Sequence, residues 1–393
     1  MSIAITRSER WATTALFLVS GLSFGGFLVR SPTLKVERGL DDTSYGLLSV
    51  LFGVVAIVTM RSVAPVLRRV GPSVVARVAV VAFPLAVVVL GVPLGIPGYV
   101  VAIVLVAAAN GALDVAMNAT AVGAEQRLGR PMLSGCHAAW SVGATTAMLA
   151  GTASIAAGAP TTVHLAAAAA LAVPIAVLAG SRLPGNGPAT VGPESPAPAR
   201  WSAALVRVAL VGVILMVAEG AALGWSGVFL HEVRGAPLAL AAAATTAFTA
   251  AQTVGRLGGD RLRGALGDAR LFRVGSLVGA VGLAAAVLVP RPAAAVGGFA
   301  LLGLGGAALV PIAYAETGRR DPSTLAVARL SVFVYAGVLV GPGMIGLVAG
   351  ALGLTAALAL VAPLLGLGAV VFPRAERRLG AVGPRERAGV LGR

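Results

Sequence analysis

The chain is a succession of apolar runs of about twenty residues, broken by charged or Pro/Gly-rich segments, and about twenty helical residues are what a hydrocarbon layer roughly 30 Å thick demands of one crossing. Lipid offers no partner to a backbone N–H or C=O, so each run has to satisfy its own backbone as a helix. Twelve runs are read: Trp11 to Val29, Thr43 to Met60, Val74 to Val92, Tyr99 to Val122, Met132 to Ile155, Val163 to Leu178, Ala204 to Leu230, Leu238 to Thr253, Leu271 to Val289, Ala293 to Ala315, Leu325 to Ala349 and Gly353 to Val371. Composition agrees, because only 11% of the 393 residues are charged and 58% are hydrophobic, about half the charged fraction of a soluble domain. One cysteine, Cys136, excludes a disulfide framework and a Cys-based zinc or iron–sulfur cluster. The expected fold class is an all-α polytopic membrane protein of twelve transmembrane helices.

Residues 181-202 (SRLPGNGPATVGPESPAPARWS) interrupt the hydrophobicity as a surface linker does. They divide the chain into a six-helix half over 1-180 and a second over 203-373, followed by a basic tail over 374-393. A shift of 196 residues lays the turn Leu67-Arg-Arg-Val-Gly71 on Arg263-Gly-Ala-Leu-Gly267 and Arg77-Val78 on Arg273-Val274, so the halves read as a pseudo-symmetric repeat. The net charge of +15 is a topology signal: placing both termini in the cytoplasm puts 25 of the 30 basic residues on that side. Only Arg30, Lys35, Arg38, Arg234 and Arg291 fall outside. The first run reaches Arg30 with no small-residue cleavage site and is read as a retained helix. With its charge consumed by topology, the chain is expected to bind no nucleic acid.

Ionisable groups at depth are costly in lipid and point to a solute or proton path. In the fourth span Asn110, Asp114 and Asn118 recur every fourth residue along one helical face, with Asp114 roughly 12 Å inside the end at Val122. The fifth span brings Ser134, His137 and Ser141 onto one face, and a short loop lets His137 reach Asp114 or Asn118. The seventh carries Glu219 and Trp225, and an ion pair from Glu219 to Arg30 across the outer end is expected. Asp114, His137 and Glu219 are the candidates for proton coupling. Together with Asn110, Asn118, Trp140 and Trp225 they are the candidates for solute binding. Arg256 with Asp260, and Glu316 with Arg319, Arg320 and Arg329, are candidates for a lock on the inner side, and Arg30 for one on the outer.

Several enzyme-like strings are accidental. Gly21-Leu-Ser-Phe-Gly25 lies mid-span without the strand a nucleophile elbow needs, and its glycines read instead as a small-residue packing face. Gly303-Leu-Gly-Gly-Ala lacks both the strand and the acidic residue of a dinucleotide site. The sequence carries no Walker motif and no convincing metal spacing. No cofactor and no enzymatic activity are expected, and the driving force is read as a proton gradient.

Twelve spans in two halves, the central linker and the basic glycine turns resemble the major facilitator superfamily across essentially the whole chain. Its loop motif G-x-x-x-D-R-x-G-R is kept in part: Arg69, Val70 and Gly71 fit, while Ala64 and Arg68 stand at its Gly and Asp. The fourth-span run Gly111-Ala-Leu-Asp114-Val-Ala-Met-Asn118 is similar to the L-E-x-x-x-N run of fucose-permease-like members. Arg30-Ser-Pro32, Ser134-Gly-Cys-His137-Ala-Ala-Trp140-Ser141 and Glu219-Gly-Ala with Trp225 are also similar to bacterial members of that branch. The resemblance implies secondary transport by rocking of two halves, with the fourth-span carboxylate serving sugar binding and proton coupling. One departure matters: those permeases carry an acidic residue within the first span, and none lies between Trp11 and Arg30. The expected function is proton-coupled transport of a small polar, sugar-like solute. The alternatives are proton-driven efflux of amphiphiles and a non-transporting receptor or scaffold. Twenty-nine Arg against one Lys, with abundant Ala and Gly, indicates a GC-rich bacterial genome. A monomer in the bacterial cytoplasmic membrane, partnered by the bilayer and its solute, is expected.

Overall fold

The computed structural model describes residues 7–128, 132–183, 202–320 and 324–372, and every regular element among them is helical. Most of the expected linker and the whole tail lie outside the described residues. The spans are Arg7–Val29, Asp42–Val70, Pro72–Gly91, Ile96–Leu128, Leu133–Ala156 and Thr161–Ser181, then Ala203–Val233, Leu238–Leu266, Asp268–Leu288, Pro292–Arg320, Thr324–Leu352 and Leu354–Val371. Eleven of these helices are long and apolar enough to cross a membrane. The fifth, Leu133–Ala156, has 24 residues and carries His137 together with six Ser and Thr side chains, which lower its hydropathy.

Helix ends follow local chemistry. The Asp41 carboxylate accepts from the Ser44 backbone N–H at 2.6 Å and starts the second span. Gly71 ends it, its N–H donating to the Leu67 carbonyl at 2.9 Å, and Pro72 opens the third span where a missing N–H costs nothing. The backbone at Gly71 has φ 85°, and Gly267, one repeat later, has φ 74°. Gly39 (φ 61°) and Gly235 (φ 64°) are another pair at the same 196-residue offset. Left-handed backbone that only glycine adopts easily therefore recurs at matched places in both halves.

Packing repeats in the same way. The first span lies against the fifth and sixth, the second against the fourth, and the third against the fourth and sixth. Six spans later the seventh lies against the eleventh and twelfth, the eighth against the tenth, and the ninth against the tenth and twelfth. Each half has its own apolar interior, with Leu16, Phe17, Phe83 and Leu113 in one and Phe229, Phe272, Phe299 and Phe372 in the other. The halves meet along two seams, second span on eleventh and fifth on eighth. The first seam is glycine on glycine at Gly46 and Gly346, and the second joins hydroxyls, Thr145 to Thr253 at 3.2 Å and Thr152 to Thr246 at 2.9 Å.

In lipid the contact between helices rests on close packing, because the tails are as apolar as the side chains. Gly21 performs the role read from sequence: a Cβ there would stand 2.9 Å from the Ala144 backbone nitrogen and collide with the Trp140 carbonyl oxygen. Gly258, by contrast, faces open space. Gly21→Ala is expected to destabilise the chain by about 1–3 kcal/mol, the usual cost of overpacking, whereas Gly258→Ala leaves it unchanged or slightly firmer. Thermal unfolding of both purified variants in one detergent checks this.

Candidate functional site

Between the halves lies a cavity of about 440 Å³. The first half lines it with Ser20, Phe24 and Phe27 from the first span, Phe52 and Met60 from the second, Asn110 and Asp114 from the fourth, and His137 and Trp140 from the fifth. The second half contributes Met216, Glu219 and Gly220 from the seventh span, Arg256 from the eighth and Pro342 from the eleventh. Asn110 and Asp114 face the cavity because residues four apart share a helical face.

Asp114 is half-buried, and among the described residues its carboxylate accepts only from the Asn118 amide, at 3.3 Å. That amide is steered by a second bond, of 2.8 Å, to the Asp114 carbonyl oxygen. Asn118 thus acts behind Asp114 and is not itself on the cavity wall. His137 shares the cavity, but among the described residues no hydrogen bond joins it to Asp114 or Asn118. Its ring lies edge-on to Phe17 at 5.1 Å.

The expected pairing of Glu219 with Arg30 is not what forms. Glu219 stands 4.0 Å from Arg256, both partly exposed to the cavity. Arg30 turns into its own half: Nε donates to His164 Nδ1 at 3.2 Å, and Nη2 to the Ser154 hydroxyl at 2.8 Å and the Ala159 carbonyl at 3.0 Å. Three acceptors from the fifth and sixth spans and their loop surround the guanidinium, so nothing draws it across the gap. Trp225 is corrected too. It is fully buried, donates from Nε1 to the Pro342 carbonyl at 3.1 Å and lies edge-on to Tyr45 at 5.0 Å. It therefore supports the Tyr45 wall without reaching the cavity. The seventh helix widens into a π-helical stretch at Ala221–Trp225, beginning two residues after Glu219, and such local widening is frequent at functional sites.

The second-half charges follow expectation in part, since Glu316 meets Arg319 and Arg320. Glu316 bonds Arg319 at 2.5 Å and Arg320 at 2.6 Å along its own helix, and Arg319 continues to Asp268 at 2.5 Å, which Arg263 holds at 2.8 Å. These bonds clamp the end of the tenth span to the turn between the eighth and ninth, all within one half. The side chains of Asp260 and Arg329 lie outside the described residues.

Two features were not foreseen from sequence. Phe24, Phe27, Phe52 and Trp140 form an aromatic wall, with Phe24 6.3 Å from Phe27 and from Phe52 and 6.0 Å from Trp140. The spacing of three between Phe24 and Phe27 was the available signal. The other is Lys35, the chain's single lysine. It is 3% exposed, donates to Glu232 of the opposite half at 2.5 Å and forms an ion pair with Asp42 at 2.9 Å, and the Tyr45 hydroxyl donates to the Gly224 carbonyl at 2.9 Å. Arg30 and Lys35 are buried at this end, whereas His137 and Arg256 are exposed.

No protein-family model matches the chain. An uncharacterised MFS-type transporter of Yersinia pestis is 32% identical over 366 residues, covering 91% of this chain and 93% of the relative. The membrane protein MosC of Rhizobium meliloti is 29% identical over 357 residues, 87% of this chain and 84% of MosC. Among solved structures, a mutant of the nucleoside transporter NupG superposes with a TM-score of 0.72 at 15% identity, covering 93% of this chain and 99% of that one. A mutant of the peptide transporter POT gives 0.72 at 13% identity, covering 92% and 93%. At those identities the structural likeness is one of fold, whereas the Yersinia relative is close enough over its length to show descent. With its twelve helices in two matched halves around a central cavity, the chain belongs to the major facilitator superfamily of transporters.

Proposed function

We propose that the chain is a proton-driven secondary transporter that carries a small amphipathic organic solute by alternating access. The observation that supports this most directly is a cavity between two matched halves that buries a carboxylate, Asp114, with no cationic partner among the described residues. A lone carboxylate in such a place is stable when it holds a proton or a bound cation. In this reading Asp114 is the coupling group, Asn118 orients it, and Asn110, His137 and the Glu219–Arg256 pair supply polar contacts to the solute. Residues 181-202 act as a cytoplasmic linker between halves 1-180 and 203-373. Both termini lie in the cytoplasm of a bacterium, and the protein works as a monomer in the cytoplasmic membrane.

Two kinds of solute suit this site. The carbohydrate-like solute of the fucose-permease resemblance would use Asn110 and Asp114 and lay the C–H face of its ring on the aromatic wall. An amphiphile exported against incoming protons would use the same wall more fully. The lining favours the amphiphile, because aromatic and methionine side chains outnumber the amides among the cavity groups. In proteoliposomes with an imposed proton gradient, solute flux is expected to follow the gradient in the wild type. Asp114→Asn is expected to lose gradient-driven accumulation while keeping exchange of solute for solute. Gradient-driven accumulation that survives the substitution would remove Asp114 from coupling.

Alternating access requires the Arg30 end to open, which here means separating Lys35 from Glu232 across the two halves. A hydrogen bond to a charged group contributes about 1.5–3 kcal/mol, so Glu232→Gln should favour opening by at least about tenfold. Ser31→Cys beside the cavity, in a chain whose own Cys136 is replaced, supplies the reporter. Its labelling by a membrane-impermeant maleimide from the Arg30 side is expected to speed up about tenfold in Glu232→Gln, and an unchanged rate would count against the latch.

A further inference from the structure

We propose that the bundle binds the headgroup of an anionic phospholipid at the end bearing the N-terminus, on a patch formed by Arg7, Arg10 and Trp11 of the first span and Arg182 at the close of the sixth. The patch lies outside the central cavity and is independent of the solute that the cavity takes. At about 100° per residue, Arg7, Arg10 and Trp11 share one side of their helix, and Glu9 falls on the other. All three are exposed, Trp11 by 42%. The sixth span packs beside the first, and Arg182, its C-cap, sets its guanidinium carbon over the Trp11 ring, 5.5 Å from the centre, within reach of a cation–π contact. Among the described residues no carboxylate or other acceptor engages the guanidinium groups of Arg7, Arg10 and Arg182. Arg77 of the third span is committed at the same place: it donates to the Gly180 and Leu183 carbonyls at 2.9 Å and 2.8 Å. It thereby offsets the carbonyl end of the sixth helix, which would otherwise repel an anion beside Arg182.

Topology asks only for positive charge on one side of the membrane, and the second half shows what that alone produces. One repeat later, 196 residues on, Ala203, Val206 and Arg207 stand where the first half has Arg7, Arg10 and Trp11. Arg207 turns back to the Ala203 carbonyl of its own helix at 3.3 Å. A lipid is favoured over a soluble anion by the apolar lane that ends at Arg182. Leu171, Leu178 and Arg182 are spaced by seven and eleven residues, close to two and three whole turns, so they share a face of the sixth helix. Leu171 is 73% exposed and Leu178 44%. An exposed Trp at the end of a span sits at headgroup level, and Arg7 lies about 6 Å farther out along the same helix, at the height of a phosphate. A phosphate diester then accepts from the guanidinium N–H groups, its glycerol lies against the indole, and an acyl chain follows Leu178 and Leu171. A zwitterionic headgroup would bring an ammonium to a place that already holds three uncompensated cations, so the net charge of the headgroup decides.

Native mass spectrometry of the full chain, released from an uncharged maltoside micelle and titrated with dioleoylphosphatidylglycerol or dioleoylphosphatidylcholine, reads the affinity for each lipid. The wild type should hold phosphatidylglycerol at least about tenfold more tightly. Arg7→Gln, Arg10→Gln and Arg182→Gln should each weaken phosphatidylglycerol about fivefold, the contribution of one arginine at an anionic surface. Binding of phosphatidylcholine should stay as in the wild type, which also reports that each variant is folded. Arg207→Gln, at the matching place in the second half, should change neither affinity. Phosphatidylglycerol brominated on its chains should quench Trp11, read as the emission lost in Trp11→Phe, more strongly than brominated phosphatidylcholine at equal concentration. That excess should vanish when Arg7, Arg10 and Arg182 are all replaced by Gln. Equal affinity for the two lipids, an unchanged affinity in all three single variants, or as large a loss in Arg207→Gln would overturn the site. Displacement of phosphatidylglycerol by inorganic phosphate at millimolar concentration would overturn it too, because the ligand would then be a soluble anion.

Discussion

Hydrocarbon offers a polypeptide no hydrogen-bond partner, and each backbone group left unsatisfied in it costs several kcal/mol. That one constraint makes every crossing of this chain a helix and confines its charges to ends, loops and the central cavity. It also removes the hydrophobic drive between helices, so the helices are joined by small residues that let backbones approach. Gly21 against Ala144 and Gly46 against Gly346 are examples, one within a half and one between halves. Several of the polar groups buried in the bundle have a specific partner or a place on the cavity wall, while the Thr33 and Ser276 hydroxyls have no hydrogen-bond partner among the described residues.

The basic residues at the Arg30 end illustrate this. Four of the five that run against the charge bias are bonded inside the protein. Arg38 donates to the Leu90 and Val92 carbonyls at 3.0 Å and 2.6 Å and lies over the Tyr99 ring. Arg234, its repeat partner, donates to the Val287 carbonyl and lies over Phe229. Both meet the carbonyl end of a helix, the third and the ninth, where a cation is favourable. Arg30 ties the first span to the fifth and sixth, and Lys35 crosses to the other half. Each of these cations is spent on holding elements of the bundle together at this end.

The cavity breaks the symmetry that the backbone keeps. At the 196-residue offset Phe24 corresponds to Gly220, Phe27 to Leu223 and Met60 to Arg256, and all six line the cavity. The first half therefore supplies aromatic faces and the isolated carboxylate, and the second supplies glycine, leucine and an ion pair. The backbone repeat supplies two matched halves, while the substitutions within it shape what lies between them.

Sequence alone determined the number of spans, their approximate limits, the repeat and the face of the fourth span that bears Asn110 and Asp114. Each of these follows from local properties: run length against bilayer thickness, periodicity along one helix, and glycine where φ is positive. It also singled out Asn110, His137, Trp140, Glu219 and Arg256, because a polar or aromatic group inside an apolar run is visible without a fold. Pairings between distant spans were a different matter. Glu219 meets Arg256 instead of Arg30, Trp225 is buried behind Tyr45, Arg319 reaches Asp268, and Lys35 reaches Glu232 nearly two hundred residues away. Only the tertiary structure decided these, because which helix faces which, and at what rotation and height, depends on the packing of the whole bundle and leaves no periodic trace in any one segment.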